Sequence, residues 1–143
     1  DDGNNSKSLK FIVTKGNRVI TWAQTFAGLT YGDAPVSLTG TATGSGDFNY
    51  TSSDSTILEI NGTSMIIRSG GTATITATAA ENSTAFAANP VAKSISIAKA
   101  PLTIIGQDYN HNQGDAIPDD LNWTATGWKN NDANLPTFGP NPA

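Results

Sequence analysis

Apolar and polar positions in this chain alternate with a period of two. Thr72-Ala73-Thr74-Ile75-Thr76-Ala77-Thr78-Ala79 puts small apolar side chains on one face and threonines on the other, as a strand with one buried face requires. Ser94 to Ala98 repeats the pattern and predicts Ile95 and Ile97 facing inward. Residues 57–67 read as a hairpin: Thr56-Ile57-Leu58-Glu59-Ile60 and Thr63-Ser64-Met65-Ile66-Ile67 flank Asn61-Gly62, a dipeptide that tolerates positive φ at both central positions of a type I′ turn. Gly70-Gly71 marks the next turn. No stretch carries a helical stripe, and the abundant β-branched residues lower helix propensity. Strands of this kind, with turn signals every 8 to 12 residues, predict an all-β antiparallel sandwich.

One word occurs twice, as Tyr31-Gly32-Asp33-Ala34-Pro35 and Gln113-Gly114-Asp115-Ala116-Ile117-Pro118, with its glycines 82 positions apart. A Gln precedes each copy (Gln24, Gln107), and Val19-Ile20-Thr21-Trp22 aligns with Leu102-Thr103-Ile104-Ile105. Upstream, residues 93–100 echo residues 7–16. A period of this length is that of a small β-domain copied in tandem. The expected organisation is the last strand of a preceding repeat (1–15), one complete unit (16–100), and the first half of a following unit (101–143). That last half, short of strands to cover its own face, is expected to borrow an edge from residues 1–15, from the complete unit or from another chain.

Composition narrows the function classes. Charged residues make up 14% and the net charge is −4, with eight basic residues scattered singly, so no positive patch forms for phosphates and nucleic-acid binding is not expected. Apolar residues reach 37%, enough for a thin core. Zero cysteines exclude disulfides, thiolate metal sites and cysteine nucleophiles. No run of 18 apolar residues is present, so no membrane-spanning helix is expected. No signal peptide is visible and the first residue is Asp rather than Met, so sequence ahead of Asp1 is expected to have been removed or not included. The Asn-x-Ser/Thr sequons at Asn4, Asn49, Asn61, Asn82 and Asn122 are expected by chance in so polar a chain.

Candidate chemistry is sparse. In the repeated word, Gly32 and Gly114 permit positive φ, Asp33 and Asp115 can bond nearby amides, and Pro35 and Pro118 fix φ, so turn formation explains both copies. A calcium loop is the sharper alternative between residues 108 and 119: Asp108, Asn110 and Asn112 stand at ligand positions 1, 3 and 5, and Asp119 at position 12. Such loops place Gly at position 6 and Glu at position 12, where this chain has Gln113 and Asp119. His111, the single histidine, forms neither a zinc cluster nor a held triad in such a turn. Trp123 and Trp128 are candidate glycan contacts, since flat aromatics stack on sugars. Their spacing puts them on opposite faces of one strand, one of them exposed, whereas Trp22 is expected in the core. The threonine ladder reads as a solvated face rather than an ice-binding plane. No phosphate loop, nucleophile elbow or dinucleotide fingerprint occurs, so no enzyme and no required cofactor are expected.

Phe48-Asn49-Tyr50-Thr51-Ser52-Ser53-Asp54, the strand Ile57 to Ile60, Asn61-Gly62 and Gly71-Thr72-Ala73-Thr74-Ile75-Thr76-Ala77 together resemble bacterial immunoglobulin-like domains of the group 2 type. Asn82, Phe86 and Pro90 are similar to the tail that follows in those domains. Residues 100–104, 113–118 and 124–132 resemble the opening of the related MBG repeats, which carry Tyr-Gly-Asp and Gly-x-x-Asn-Gly-Asp. Here Gln113 replaces the Tyr and Asn131 the second Gly. The resemblance implies an immunoglobulin-like antiparallel β-sandwich followed by a partial second β unit, in a secreted or surface-anchored bacterial protein. It also implies a non-enzymatic spacer, stalk or adhesion segment, whose partners are neighbouring repeats and a cell-surface glycan or protein. The alternative is a carbohydrate-binding or calcium-binding β-sandwich module.

Overall fold

The computed structural model describes residues 10–12, 14–106, 110, 112–114, 123–130 and 132. The chain is all-β, with no α-helix among the described residues. Short strands β1 (Ile20–Thr21), β2 (Val36–Ser37) and β3 (Thr41–Ala42) precede β4 (Phe48–Ser52). Then come β5 (Leu58–Asn61), β6 (Ser64–Ile67), β7 (Gly71–Ala79) and β8 (Val91–Ile97), and finally β9 (Thr103–Gly106) and β10 (Trp123–Thr126). All strand pairs are antiparallel: β4-β7-β8 and β2-β6-β5 form three-stranded sheets, and β1-β3 and β9-β10 form two-stranded ladders.

The two larger sheets share one core. Leu58, Met65 and Ile67 from one sheet meet Tyr50, Ala73, Ile75, Ala77, Ile95 and Ile97 from the other, with Ile20, Trp22 and Leu38 closing the end. β7 reads as the alternation predicts, with Ala73, Ile75, Ala77 and Ala79 buried. Its alanines are small for a reason. Ala77 lies between Tyr50 on β4 and Val91 on β8, and Tyr50 packs edge-on against Trp22 and Phe48 at centroid distances of 5.2 and 5.1 Å. Small side chains under large rings fill the layer without voids. Each fully buried Leu58, Met65, Ile75 or Ile95 contributes roughly 1.5–3 kcal/mol by leaving water.

The hairpin is present, but its turn is one residue further on than Asn61-Gly62 implies. Asn61 pairs with Ser64, so the loop is Gly62-Thr63, and only Gly62 has positive φ (61°), which is the type II′ pattern with glycine first. The core decides this register. It sets Leu58 opposite Ile67 and Ile60 opposite Met65, apolar against apolar, whereas a loop at Asn61-Gly62 would place Ile60 opposite Thr63.

The β1-β3 and β9-β10 ladders are alike in register. β1-β3 pairs Ile20 with Ala42 and Thr21 with Thr41; β9-β10 pairs Ile104 with Ala125 and Ile105 with Thr124. The same word, Thr-Ala-Thr-Gly, supplies the returning strand in both cases, at 41–44 and 124–127. It ends each time on a glycine with positive φ, 77° at Gly44 and 100° at Gly127. This pairing makes Ile104 the counterpart of Ile20, one residue away from the alignment that set Val19-Ile20-Thr21-Trp22 against Leu102-Thr103-Ile104-Ile105. The strand expected from a preceding repeat falls largely outside the described residues, and residues 10–12, 14 and 15 form no ladder.

Candidate functional site

Arg18 is the one buried charged residue among those described, 5% exposed. Its guanidinium donates to four backbone carbonyls: Ala80 at 2.7 Å, Thr43 at 3.1 Å, Asp47 at 3.3 Å and Gly46 at 3.4 Å. It therefore ties the β3–β4 loop to the end of β7. Gln24 performs a similar task on the other side, with its Oε1 accepting from Trp22 Nε1 and the Thr39 amide and its Nε2 donating to the Ser37 carbonyl. A lone Arg and a loop Gln look like surface residues in the sequence, and neither role is readable there. Gln107, which matches Gln24 in the repeat, lies outside the described residues.

The Tyr31-Gly32-Asp33 word forms the expected turn. Asp33 Oδ2 accepts from the Thr30 amide at 2.8 Å and the Asp33 amide donates to the Thr30 carbonyl at 3.0 Å. The turn is fastened to the end of β8 by a parallel bridge between Thr30 and Ala98, with the Tyr31 amide donating to the Ala98 carbonyl at 2.9 Å. It also touches residues that follow β10. Tyr31 Oη donates to Asp132 Oδ2 at 2.8 Å, and the methylenes of Lys129 lie directly over Gly32, whose φ is 94°. A Cβ at Gly32 would stand 2.6 Å from Lys129 Cγ and Cδ, so both the backbone angle and the close approach require glycine.

Two of the four candidate calcium ligands fall among the described residues. Asn110 and Asn112 are exposed, and Asp108, His111 and Asp119 lie outside the described residues. Among the described residues no group of three His, Asp or Glu side chains stands together for a metal ion. Trp22 is buried, as expected, with Lys93 Nζ 5.3 Å from the ring centroid. Trp123 and Trp128 do not share a strand: β10 ends at Thr126, and Trp128 follows the positive-φ Gly127, half-buried. The glycine turn breaks the alternation on which their opposite-face placement was based.

Comparisons with family models, curated proteins and solved structures find no match to the chain.

Proposed function

We propose that this chain is a non-enzymatic, immunoglobulin-like tandem repeat of an exported bacterial protein, acting at the cell surface or after secretion as a spacer, stalk or adhesion segment. The observation that carries the reading is the ladder written twice: Ile20 opposite Ala42 and Ile104 opposite Ala125, each returning through Thr-Ala-Thr-Gly. A domain-sized unit that recurs across a linker as short as Lys99-Ala100-Pro101 repeats length and orientation rather than chemistry. The likeness of residues 48–77 and 113–132 to bacterial immunoglobulin-like and MBG repeats supports the same conclusion. Its natural partners are neighbouring repeats, and a surface glycan or protein where the segment adheres.

Stretching a single molecule held through residues 16 and 100 tests this. The stalk reading expects one discrete unfolding event that releases about 30 nm, the extended length of the unit at roughly 3.3–3.6 Å per residue. Extension without a discrete event overturns it. A saturable glycan signal lost in Trp128→Ala, or a calcium-dependent rise in Tm, replaces it with the binding-module reading.

A further inference from the structure

We infer that the Tyr31-Gly32-Asp33 turn is a docking surface for Lys129 and Asp132 of the unit that follows it, and that this contact sets the angle between neighbours. The inference rests on the tandem-repeat reading for its meaning and on the geometry of the joint for its argument. The receiving turn is rigid before anything docks. Asp33 closes it onto Thr30, and the bridge from Thr30 to Ala98 fixes it beside the point where the chain leaves β8 for the linker. The presented residues, Lys129 and Asp132, are also held to each other. The Asp132 amide donates to the Lys129 carbonyl at 2.9 Å, and Asn130 takes a left-handed φ of 50°, a conformation Asn tolerates better than most residues.

The two turns meet through complementary features. Gly32 leaves the space that the Lys129 stem fills, and Tyr31 delivers its phenol to Asp132 across that contact. Beside the linker the β9-β10 ladder closes on glycine, since a Cβ at Gly127 would stand 2.4 Å from the Pro101 carbonyl oxygen, and proline has already fixed φ there. The contact at Tyr31 and Gly32, together with a short linker stiffened by Pro101, restricts the joint as a flexible linker of this length does not. The second copy of the word carries Gln113 where the first carries Tyr31. A Gln side chain offers an amide donor but no ring to span the same distance, so this position decides whether the turn receives a neighbour.

Backbone 15N relaxation on the whole chain tests the joint. In the wild type the amides of β9-β10 and of β7-β8 report one rotational correlation time. In Tyr31→Gln, and independently in Lys129→Ala, the β9-β10 value falls below that of β7-β8 while the Tm of the first unit is unchanged. Tyr31→Phe, which keeps the ring and loses only the bond to Asp132, gives an intermediate separation. Independent tumbling in the wild type, or a common correlation time in both Tyr31→Gln and Lys129→Ala, overturns the proposal. A failed joint leaves the force-induced unfolding event untouched, and a missing event leaves the relaxation result untouched, so the two readings fail separately.

Discussion

Arg18→Met keeps most of the aliphatic stem and removes every donor, and its cost follows from the four carbonyl contacts. Those at 2.7 and 3.1 Å are of good length, whereas those at 3.3 and 3.4 Å are at the weak end. Hydrogen bonds to a charged donor are worth about 1.5–3 kcal/mol each, so the two short ones set an upper bound near 6 kcal/mol. Thr43 and Ala80 are exposed residues, and their carbonyls regain water when the guanidinium leaves. The expected loss is accordingly about 2–3 kcal/mol. For a unit of this size that lowers Tm by roughly 10–20 °C.

The opposing effect is desolvation. Among the described residues the guanidinium pairs with no carboxylate, since the ion pairs are Lys15–Glu81 and Arg68–Glu59. Replacing a buried charge by an apolar group of similar shape sometimes stabilises a protein. The carbonyl contacts outweigh this cost if Arg18→Met melts well below wild type and Arg18→Lys falls between them, since Lys keeps the charge but not the planar fork. Thermal unfolding followed by circular dichroism reads both variants. A Met variant that melts at or above the wild-type temperature refutes the clamp. Because the partners are neutral, the loss should also be nearly independent of salt.

The Tyr50 hydroxyl is buried without a hydrogen bond of ordinary geometry, pressed against Gly40, so Tyr50→Phe should leave stability unchanged or raise it by up to about 1 kcal/mol; a loss larger than that would mean that the hydroxyl has a partner. Burial pushes the Tyr50 phenol above its ordinary 10.0, against a weaker pull from the Gly40 backbone. Its contribution is therefore complete below pH 10 and lost as pH rises through the folded value, a decline that titration of stability should show in wild type and not in Tyr50→Phe. Asp54 lies below its ordinary 3.8 because its carboxylate accepts from the Thr56 hydroxyl and amide. Its contribution is present above pH 3.8 and lost as pH falls through the lower folded value, so Asp54→Asn should flatten that acid limb; an unchanged limb would remove Asp54 as its source.

The strands were legible in the sequence wherever local pattern and burial agree. β7 and β8 alternate strictly because each has one face on the core, and the period shows it. The hairpin was legible as a hairpin, but its register was not, because Asn61-Gly62 favours one loop locally while Leu58, Ile60, Met65 and Ile67 require another across the core. The repeated word was legible as a turn. That its Tyr and Gly also receive Lys129 and Asp132 could not be read, since the contact spans about a hundred residues and depends on how one unit follows the next. Arg18 was unreadable for a different reason: a single basic residue carries no periodic signal, and only the positions of Thr43, Asp47 and Ala80 make it a clamp.

The two ladders have the same register and different surroundings, which separates what pairing provides from what packing provides. Ile20 is 8% exposed beneath the aromatic cluster, whereas its counterpart Ile104 is 48% exposed, and Leu102 and Ile105 are similarly open. At about 25 cal/mol per Å² of apolar surface, each of these side chains forgoes roughly 1 kcal/mol relative to a buried position. An isolated two-stranded ribbon is marginal in water, so the hydrogen bonds of β9-β10 do not by themselves stabilise the ladder. Further support comes from residues 31 and 32, through Tyr31 against Asp132 and Gly32 against Lys129. The contact of Tyr31 and Gly32 with Asp132 and Lys129 is therefore also a contact that stabilises the β9-β10 ladder.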